Sequence, residues 1–179
     1  MATMLSNKNQ LKKGIMKTTK FIISAILAMA SAAANAEAIE GMIVGVSDGD
    51  TVTLLTAQRQ QVKIRVQGID APEKSQAFGT VSRQAMAKTV FQKNVQAQCS
   101  STDRYGRKIC AIYVNGVDAG LQLVSQGLAW HYKQYAKEQS PRDRATYAYA
   151  EENARAQRAG LWTEQNPIAP WDFRKNKSN

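Results

Sequence analysis

Apolar and polar positions alternate along three short stretches in the first half of the chain. Residues 39–46 carry Ile39, Met42, Val44 and Val46 among small residues. Residues 51–55 read Thr-Val-Thr-Leu-Leu, and residues 62–66 read Val-Lys-Ile-Arg-Val. A period of two with β-branched side chains predicts strands. Ser47-Asp48-Gly49-Asp50 is a turn sequence, and 57–60 is a short polar connection, so the three strands form an antiparallel meander. Gly68 and Pro72 break any regular element and make 68–75 a loop.

The pattern then changes period. Residues 81–93 place Val81, Ala85, Ala87, Val90 and Phe91 between polar residues, which predicts a helix. Residues 95–99 and 109–114 read as two more strands around the turn Asp103-Arg104-Tyr105-Gly106. Leu121, Leu123, Val124 and Leu128 predict a short amphipathic helix ending near Gly127. Residues 145–158 are alanine-rich, with Glu151, Glu152, Arg155 and Arg158 on the wet face. Gly160 is the expected residue just past that helix, with Leu161-Trp162 folding back as an apolar clamp. The basic tail after Pro170, with Arg174, Lys175 and Lys177, is expected to fray. The fold class is therefore α+β, mainly β. Five strands interrupted by about three helices fit a closed barrel of the OB type.

Composition changes this picture at the N-terminus. Lys12, Lys13, Lys17 and Lys20 precede the apolar run 21–30, and small residues follow up to Ala34-Asn35-Ala36. That order describes a secretory signal peptide, residues 1–36, cleaved after Ala36. A transmembrane anchor is the alternative, but a span needs roughly 20 apolar residues. Met16 is an alternative start. Residues 37–179 remain as one domain, a length that supports a core of its own. The whole chain has 24 basic and 14 acidic residues. The leader holds five lysines and no acid, which leaves 19 against 14, a net +5. A moderately basic exported protein favours a polyanion without requiring one. No stable membrane anchor remains after cleavage, the destination is periplasmic or extracellular, and a monomer is expected.

Cys99 and Cys110 are the only cysteines and His131 the only histidine. That is a poor set for zinc. If Arg104 and Tyr105 are the centre of a two-residue turn, Asp103 pairs with Gly106 and Cys99 falls opposite Cys110. Opposed residues lie within disulfide reach, and export supplies the oxidising compartment. Two buried free thiols are the alternative. A mechanism needing two histidines is excluded, which leaves His131 structural or incidental.

The chemistry-bearing residues cluster at strand ends. Asp48, Asp50, Asp70 and Glu73 are four carboxylates near three of them. Hard divalent cations take carboxylate, carbonyl and water oxygens, and converging carboxylates repel unless a cation relieves them. Asp50 and Asp70 are candidate ligands, with the Ala71 carbonyl nearby. An Asp-Gly-Asp turn made for conformational reasons is the plainer explanation of residues 48–50. Arg65 and Arg107 could hold the oxygens of a phosphoryl transition state. Each could equally be a solvated strand residue.

Five pieces together resemble the thermonuclease family, typified by staphylococcal nuclease. They are Asp48-Gly49-Asp50-Thr51, Arg65 to Glu73 (R-V-Q-G-I-D-A-P-E), Asp103 to Arg107 (D-R-Y-G-R), Gly127-Leu128-Ala129-Trp130, and Ala150 to Trp162. The resemblance covers nearly all of 37–179, in the family's order. It implies an OB-type barrel with three helices. It also implies calcium-dependent hydrolysis of DNA and RNA that leaves 3′-phosphate ends. By the same resemblance, Asp50 and Asp70 match the calcium carboxylates, with the Ala71 backbone carbonyl beside them. Glu73 matches the carboxylate assigned to the attacking water, and Arg65 and Arg107 match the phosphate-clamping arginines. Asp48 and Thr51 fall near the metal. Arg104, Tyr105, Tyr132 and Tyr135 are the candidate substrate contacts. The chain departs from the family in having Ala71 where threonine is usual, a short segment after Glu73, and the cysteine pair. An OB-fold module that binds single strands without catalysis is the alternative function.

Overall fold

The computed structural model describes residues 37–177. The alternating stretches are strands. β1 spans Glu37–Val46, β2 Thr51–Leu55 and β3 Gln61–Val66. After a two-residue strand, β4 (Ile69–Asp70), helix α1 runs over Gly79–Val90. Strands β5 (Asn94–Thr102), β6 (Lys108–Val114) and β7 (Val117–Asp118) follow. Then come helix α2 (Ala119–Ser125), strand β8 (Trp130–His131), helix α3 (Pro141–Ala156) and helix α4 (Pro170–Lys177). Short 3-10 turns cover Lys133–Glu138 and Gly160–Thr163.

Among the described residues the main sheet runs β3-β2-β1-β5-β6-β7, and β3 also pairs with β6. That pairing is parallel, with Arg65 opposite Ile109 and Val66 opposite Cys110. It closes β1, β2, β3, β5 and β6 into the expected five-stranded, OB-like barrel. Ile43, Val52, Leu54, Ile64, Ala97 and Ile112 fill it and are fully buried. Met86 and Val90 of α1 and Leu123 and Val124 of α2 join the same core. Closure brings the end of β3 beside the start of β6, which sets Arg65 near the Arg107 hairpin.

Several local expectations shift. The buried stripe of α1 is Ser82, Met86 and Val90, spaced by four; Val81 and Phe91 are exposed. The smaller Ser82 leaves room for Gly49, where any Cβ would collide with the Ser82 hydroxyl and the Ala71 side chain. Helix α3 starts at Pro141 rather than residue 145. Ser140 caps it, its Oγ accepting the Asp143 N–H at 3.1 Å, and Pro141 fills the first position. The left-handed residue that directly follows the cap of α3 is Arg158; Gly160, two residues further on, is also at positive φ. Gly160 lies against the Gly127 backbone, where a side chain would clash, and the Leu161 N–H donates to the Gly127 carbonyl at 2.8 Å. Leu161 and Trp162 are buried as expected. The tail after Pro170 forms α4 where fraying was expected. The leader lies outside the described residues.

Cys99 and Cys110 are opposite each other and form a disulfide. The register arises differently from the expected two-residue turn. The Asp103 N–H donates to the Arg107 carbonyl at 2.9 Å, so the loop is Arg104-Tyr105-Gly106 with Gly106 at positive φ. A bulge between Cys99 and Ser101 then shifts the pairing back by one residue. The bond closes a separation of 11 residues. Replacing both cysteines by alanine is expected to lower the unfolding free energy by roughly 2–3 kcal/mol. Urea unfolding of both proteins measures this, and equal midpoints would contradict the tether.

Candidate active site

One end of the barrel collects the acidic residues from three places in the chain. The turn between β1 and β2 is ordered by Asp48, whose Oδ1 accepts the Asp50 N–H at 3.1 Å. Asp50 is buried immediately before β2. Its Oδ2 accepts the Ala71 N–H at 2.7 Å and its Oδ1 the Thr51 hydroxyl at 3.1 Å. Asp70 ends β4, opposite Trp130 of β8, and is fully buried. Glu73 follows on the loop to α1. That loop presses on the helix start so closely that a Cβ at Gly79 would overlap the Glu73 carbonyl.

Arg65 joins these pieces. Its Nη1 meets Asp50 Oδ2 at 2.8 Å and its Nη2 meets Asp70 Oδ1 at 2.8 Å. Nη1 also donates to the Ile69 carbonyl at 2.9 Å. The guanidinium fork thus spans two carboxylates, a geometry that a lysine ammonium cannot reproduce.

A second arginine, which the sequence pattern assigned to a frayed tail, completes the cluster. Arg174 of α4 sets Nη2 on Asp70 Oδ2 at 2.8 Å and Nη1 on Glu73 Oε1 at 2.7 Å. No local pattern could have found it, because it lies 104 residues from Asp70.

The hairpin before β6 makes the opposite wall. Asp103 accepts from the Tyr105 and Arg107 backbone N–H groups, each at 2.9 Å, and from Arg107 Nε at 2.7 Å. Desolvation works against its charge, but these bonds hold the Asp103 carboxyl below its ordinary value. Arg107 therefore lines the cleft with its Nε turned to Asp103 rather than to the acidic cluster. Arg104 donates to the Tyr105 hydroxyl at 2.8 Å, and the Tyr105 ring is exposed. Tyr132 and Tyr135 stand 5.1 Å apart between ring centres on the far rim. Asp48, Asp50, Thr51, Arg65, Asp70, Ala71, Glu73, Arg104, Tyr105, Arg107, Tyr132, Tyr135 and Arg174 line one cleft of about 660 Å³. His131 is not among them. It is buried, with Nε2 2.9 Å from Gln139 Oε1, as befits a structural residue.

The donor chemistry suits a hard divalent cation. Asp48, Asp50, Asp70 and Thr51 offer only oxygen. Burial and the adjacent Asp50 charge push the Asp48 carboxyl up to about 7, which marks a place short of positive charge. Burial also raises Asp70, against the opposing Arg174 bond and Arg65 charge. Among the described residues no three acidic, histidine or cysteine side chains form a metal cluster by themselves. Carbonyl and water oxygens would have to complete any shell.

Because its folded value lies above the ordinary 3.8, Asp48 binds its proton more tightly in the folded chain than in the unfolded one. In metal-free protein it therefore lowers stability progressively as pH rises from about 4 to about 7, and by a constant amount above that. Asp48→Asn keeps an oxygen for the Asp50 N–H but removes the charge. It is expected to raise stability at pH 8 by roughly 1–2 kcal/mol, less than the full shift because the amide is also desolvated. At pH 4 the two proteins are expected to match. Urea unfolding in chelator at both pH values measures this; an unchanged stability at pH 8 would contradict it.

Comparison with known proteins identifies the family. A family model described as staphylococcal nuclease homologue matches residues 63–164. An uncharacterised endonuclease of Haemophilus influenzae is 42% identical over 135 residues, covering 75% of this chain and 72% of its own. A micrococcal nuclease of Shigella flexneri is 35% identical over 176 residues, covering 93% and 98%. A staphylococcal-like nuclease of Arabidopsis thaliana is 39% identical over 118 residues, 66% of this chain and 35% of the plant protein. With the closed barrel and the arginine-bridged acids at its end, these matches place the chain in the staphylococcal nuclease family.

Proposed function

We propose that this protein is an exported, calcium-dependent nuclease that hydrolyses phosphodiester bonds of DNA and RNA and leaves 3′-phosphate ends. The observation that carries the reading is the gathering of Asp50, Asp70, Glu73 and Arg65 in one cleft that Arg107 also lines. A binding module without catalysis has no need of buried carboxylates beside a polyanion, since they oppose its approach. Membership of a family whose relatives are named endonucleases and micrococcal nuclease supports hydrolysis.

In this reading Asp50 and Asp70 would hold calcium, with the Ala71 carbonyl as a further protein ligand. Asp48 and Thr51 would order its water shell. Calcium, when bound, supplies positive charge to a non-bridging phosphate oxygen. Glu73 orients or deprotonates the attacking water. Arg65 and Arg107 stabilise the charge that gathers on the equatorial oxygens. Arg107 is pre-positioned by Asp103, whose carboxylate fixes the hairpin from both the backbone and the side chain. Arg104, Tyr105, Tyr132 and Tyr135 form the rims against which the nucleotide lies.

Export rests on the leader expected at 1–36 and on the Cys99–Cys110 bond. No helix among the described residues is long and apolar enough to cross a membrane. The protein acts as a monomer.

Incubation with plasmid, single-stranded DNA and RNA, with calcium and then with chelator, tests the function. Cleavage of all three, lost in chelator and leaving 3′-phosphate ends, is expected; cleavage unaffected by chelator would refute the metal role. Glu73→Gln and Arg107→Ala are each expected to lower turnover about a hundredfold or more, from losing one transition-state partner. Circular dichroism checks that the barrel survives, and near-normal turnover in both variants would overturn the assignments. Arg65→Ala is a poorer probe, because it also unpairs two buried carboxylates.

A further inference from the structure

The C-terminal helix is fastened over the acidic cluster at several points. Gln76 Nε2 donates to the Ile168 carbonyl at 2.6 Å, just before α4. Trp171 stacks on Tyr132 with ring centres 5.3 Å apart and meets Trp130 edge-on at 5.4 Å. One turn further on, Arg174 reaches Asp70 and Glu73. These are the same two carboxylates that the proposed mechanism assigns to calcium and to the attacking water.

Guanidinium groups already engage both oxygens of Asp70. Oδ1 receives Arg65 Nη2 at 2.8 Å and Arg174 Nη1 at 3.2 Å, while Oδ2 receives Arg174 Nη2 at 2.8 Å. These bonds take three of the roughly four lone-pair sites of Asp70, and a cation bound through the remaining one on Oδ2 lies directly against the Arg174 charge. The two arginines are not equally replaceable. Arg65 is 14% exposed, lies on a central strand, and is braced by Asp50 and the Ile69 carbonyl. Arg174 is 43% exposed and sits on the last helix. Its bonds are the weaker against solvent competition, and its helix can leave without opening the barrel.

We propose that Arg174 is an internal counter-ion that holds Asp70 and Glu73 in place of the divalent ion, so that calcium and the docked guanidinium exclude one another. This rests on the calcium reading above. In metal-free protein Arg174 neutralises the acids and ties Glu73 down. When calcium takes Asp70, the guanidinium is released together with its hold on Glu73, which is then free to act on water. The freed cation remains at the cleft mouth, where a phosphodiester can use it. The strap formed by Trp171 and Arg174 thereby makes the site close over itself in the absence of metal.

Calorimetric titration of calcium into the purified protein and into Arg174→Gln tests the competition. Removing the competing cation is expected to lower Kd for calcium about tenfold, as befits losing a partly exposed charge-assisted pair. A merely structural role for Arg174 would do the opposite, since a loosened site binds more weakly. Arg174→Lys, which keeps the charge and loses the fork, is expected to lower Kd severalfold and serves if the glutamine variant does not fold. Hydrogen exchange supplies an independent reading: saturating calcium is expected to speed exchange across residues 170–177 of the unmodified protein. Equal or weaker calcium binding by the variants overturns the proposal, as does exchange at 170–177 that calcium leaves unchanged. No measurable calcium binding by any of the proteins would refute the calcium reading itself, a result distinct from equal and measurable affinities.

Discussion

Buried carboxylates at the end of a small barrel are the constraint to which the rest of this structure answers. Asp50 is 5% exposed and Asp70 not at all. A charge taken that far out of water is tolerated only when it is paired and hydrogen-bonded. Arg65 supplies the pairing for both acids at once, and the Ala71 N–H and Thr51 hydroxyl supply further bonds to Asp50. Because Asp50 immediately precedes β2, Arg65 belongs to β3 and Asp70 ends β4, one guanidinium fixes three elements relative to each other. The barrel core gives those elements their rigidity; the ion pairs give them their register at the open end.

The same end is reinforced from outside the barrel. The Lys133 ammonium and the His131 backbone N–H both bond Glu151, a buried carboxylate of α3, at 2.8 and 3.0 Å. Arg155, one turn later, stacks over the Trp162 ring at 3.8 Å and the Trp130 ring at 4.9 Å. Trp130 is opposite Asp70 across β4 and β8. The helical layer therefore supports the acidic cluster from behind, through an aromatic and cation stack. Tyr147 acts in parallel: its hydroxyl donates at 2.8 Å to Asp118, the cap of α2, so α3 and α2 share a buried bond.

An acidic cluster that needs positive charge has three possible sources of it: protein arginines, a divalent ion, and protons. The first and the third leave marks here, and the donor set is compatible with the second. Arg65 and Arg174 cover Asp70, the raised Asp48 retains a proton toward neutral pH, and the all-oxygen donor set suits calcium. If that positive charge exchanges as proposed, the site would suit phosphoryl chemistry, because the negative charge of the transition state draws on the same field. In the proposed mechanism the arginines fixed in the frame, Arg65 by Asp50 and Arg107 by Asp103, would give that field its direction without reorganisation.

The sequence by itself determined the barrel and most of the cleft. Strand β2 was legible to its end residues, because alternation and a flanking Asp-Gly turn are local properties of the chain. Asp50, Arg65, Asp70 and Glu73 were legible because they sit in short motifs at strand ends. The Cys99–Cys110 pairing was found from an assumed turn, and the true hairpin reached it only because a one-residue longer loop and a bulge offset each other. The tertiary structure alone decided which face of α1 is buried, since that depended on how closely Gly49 and Ala71 approach Ser82. It alone decided the role of the tail. Helix α4 has little apolar periodicity to announce it, and Arg174 acquires its meaning from Asp70 and Glu73 about a hundred residues earlier. Periodicity and turn chemistry report on a residue's neighbours in sequence, whereas an ion pair between distant segments exists only after the chain has folded.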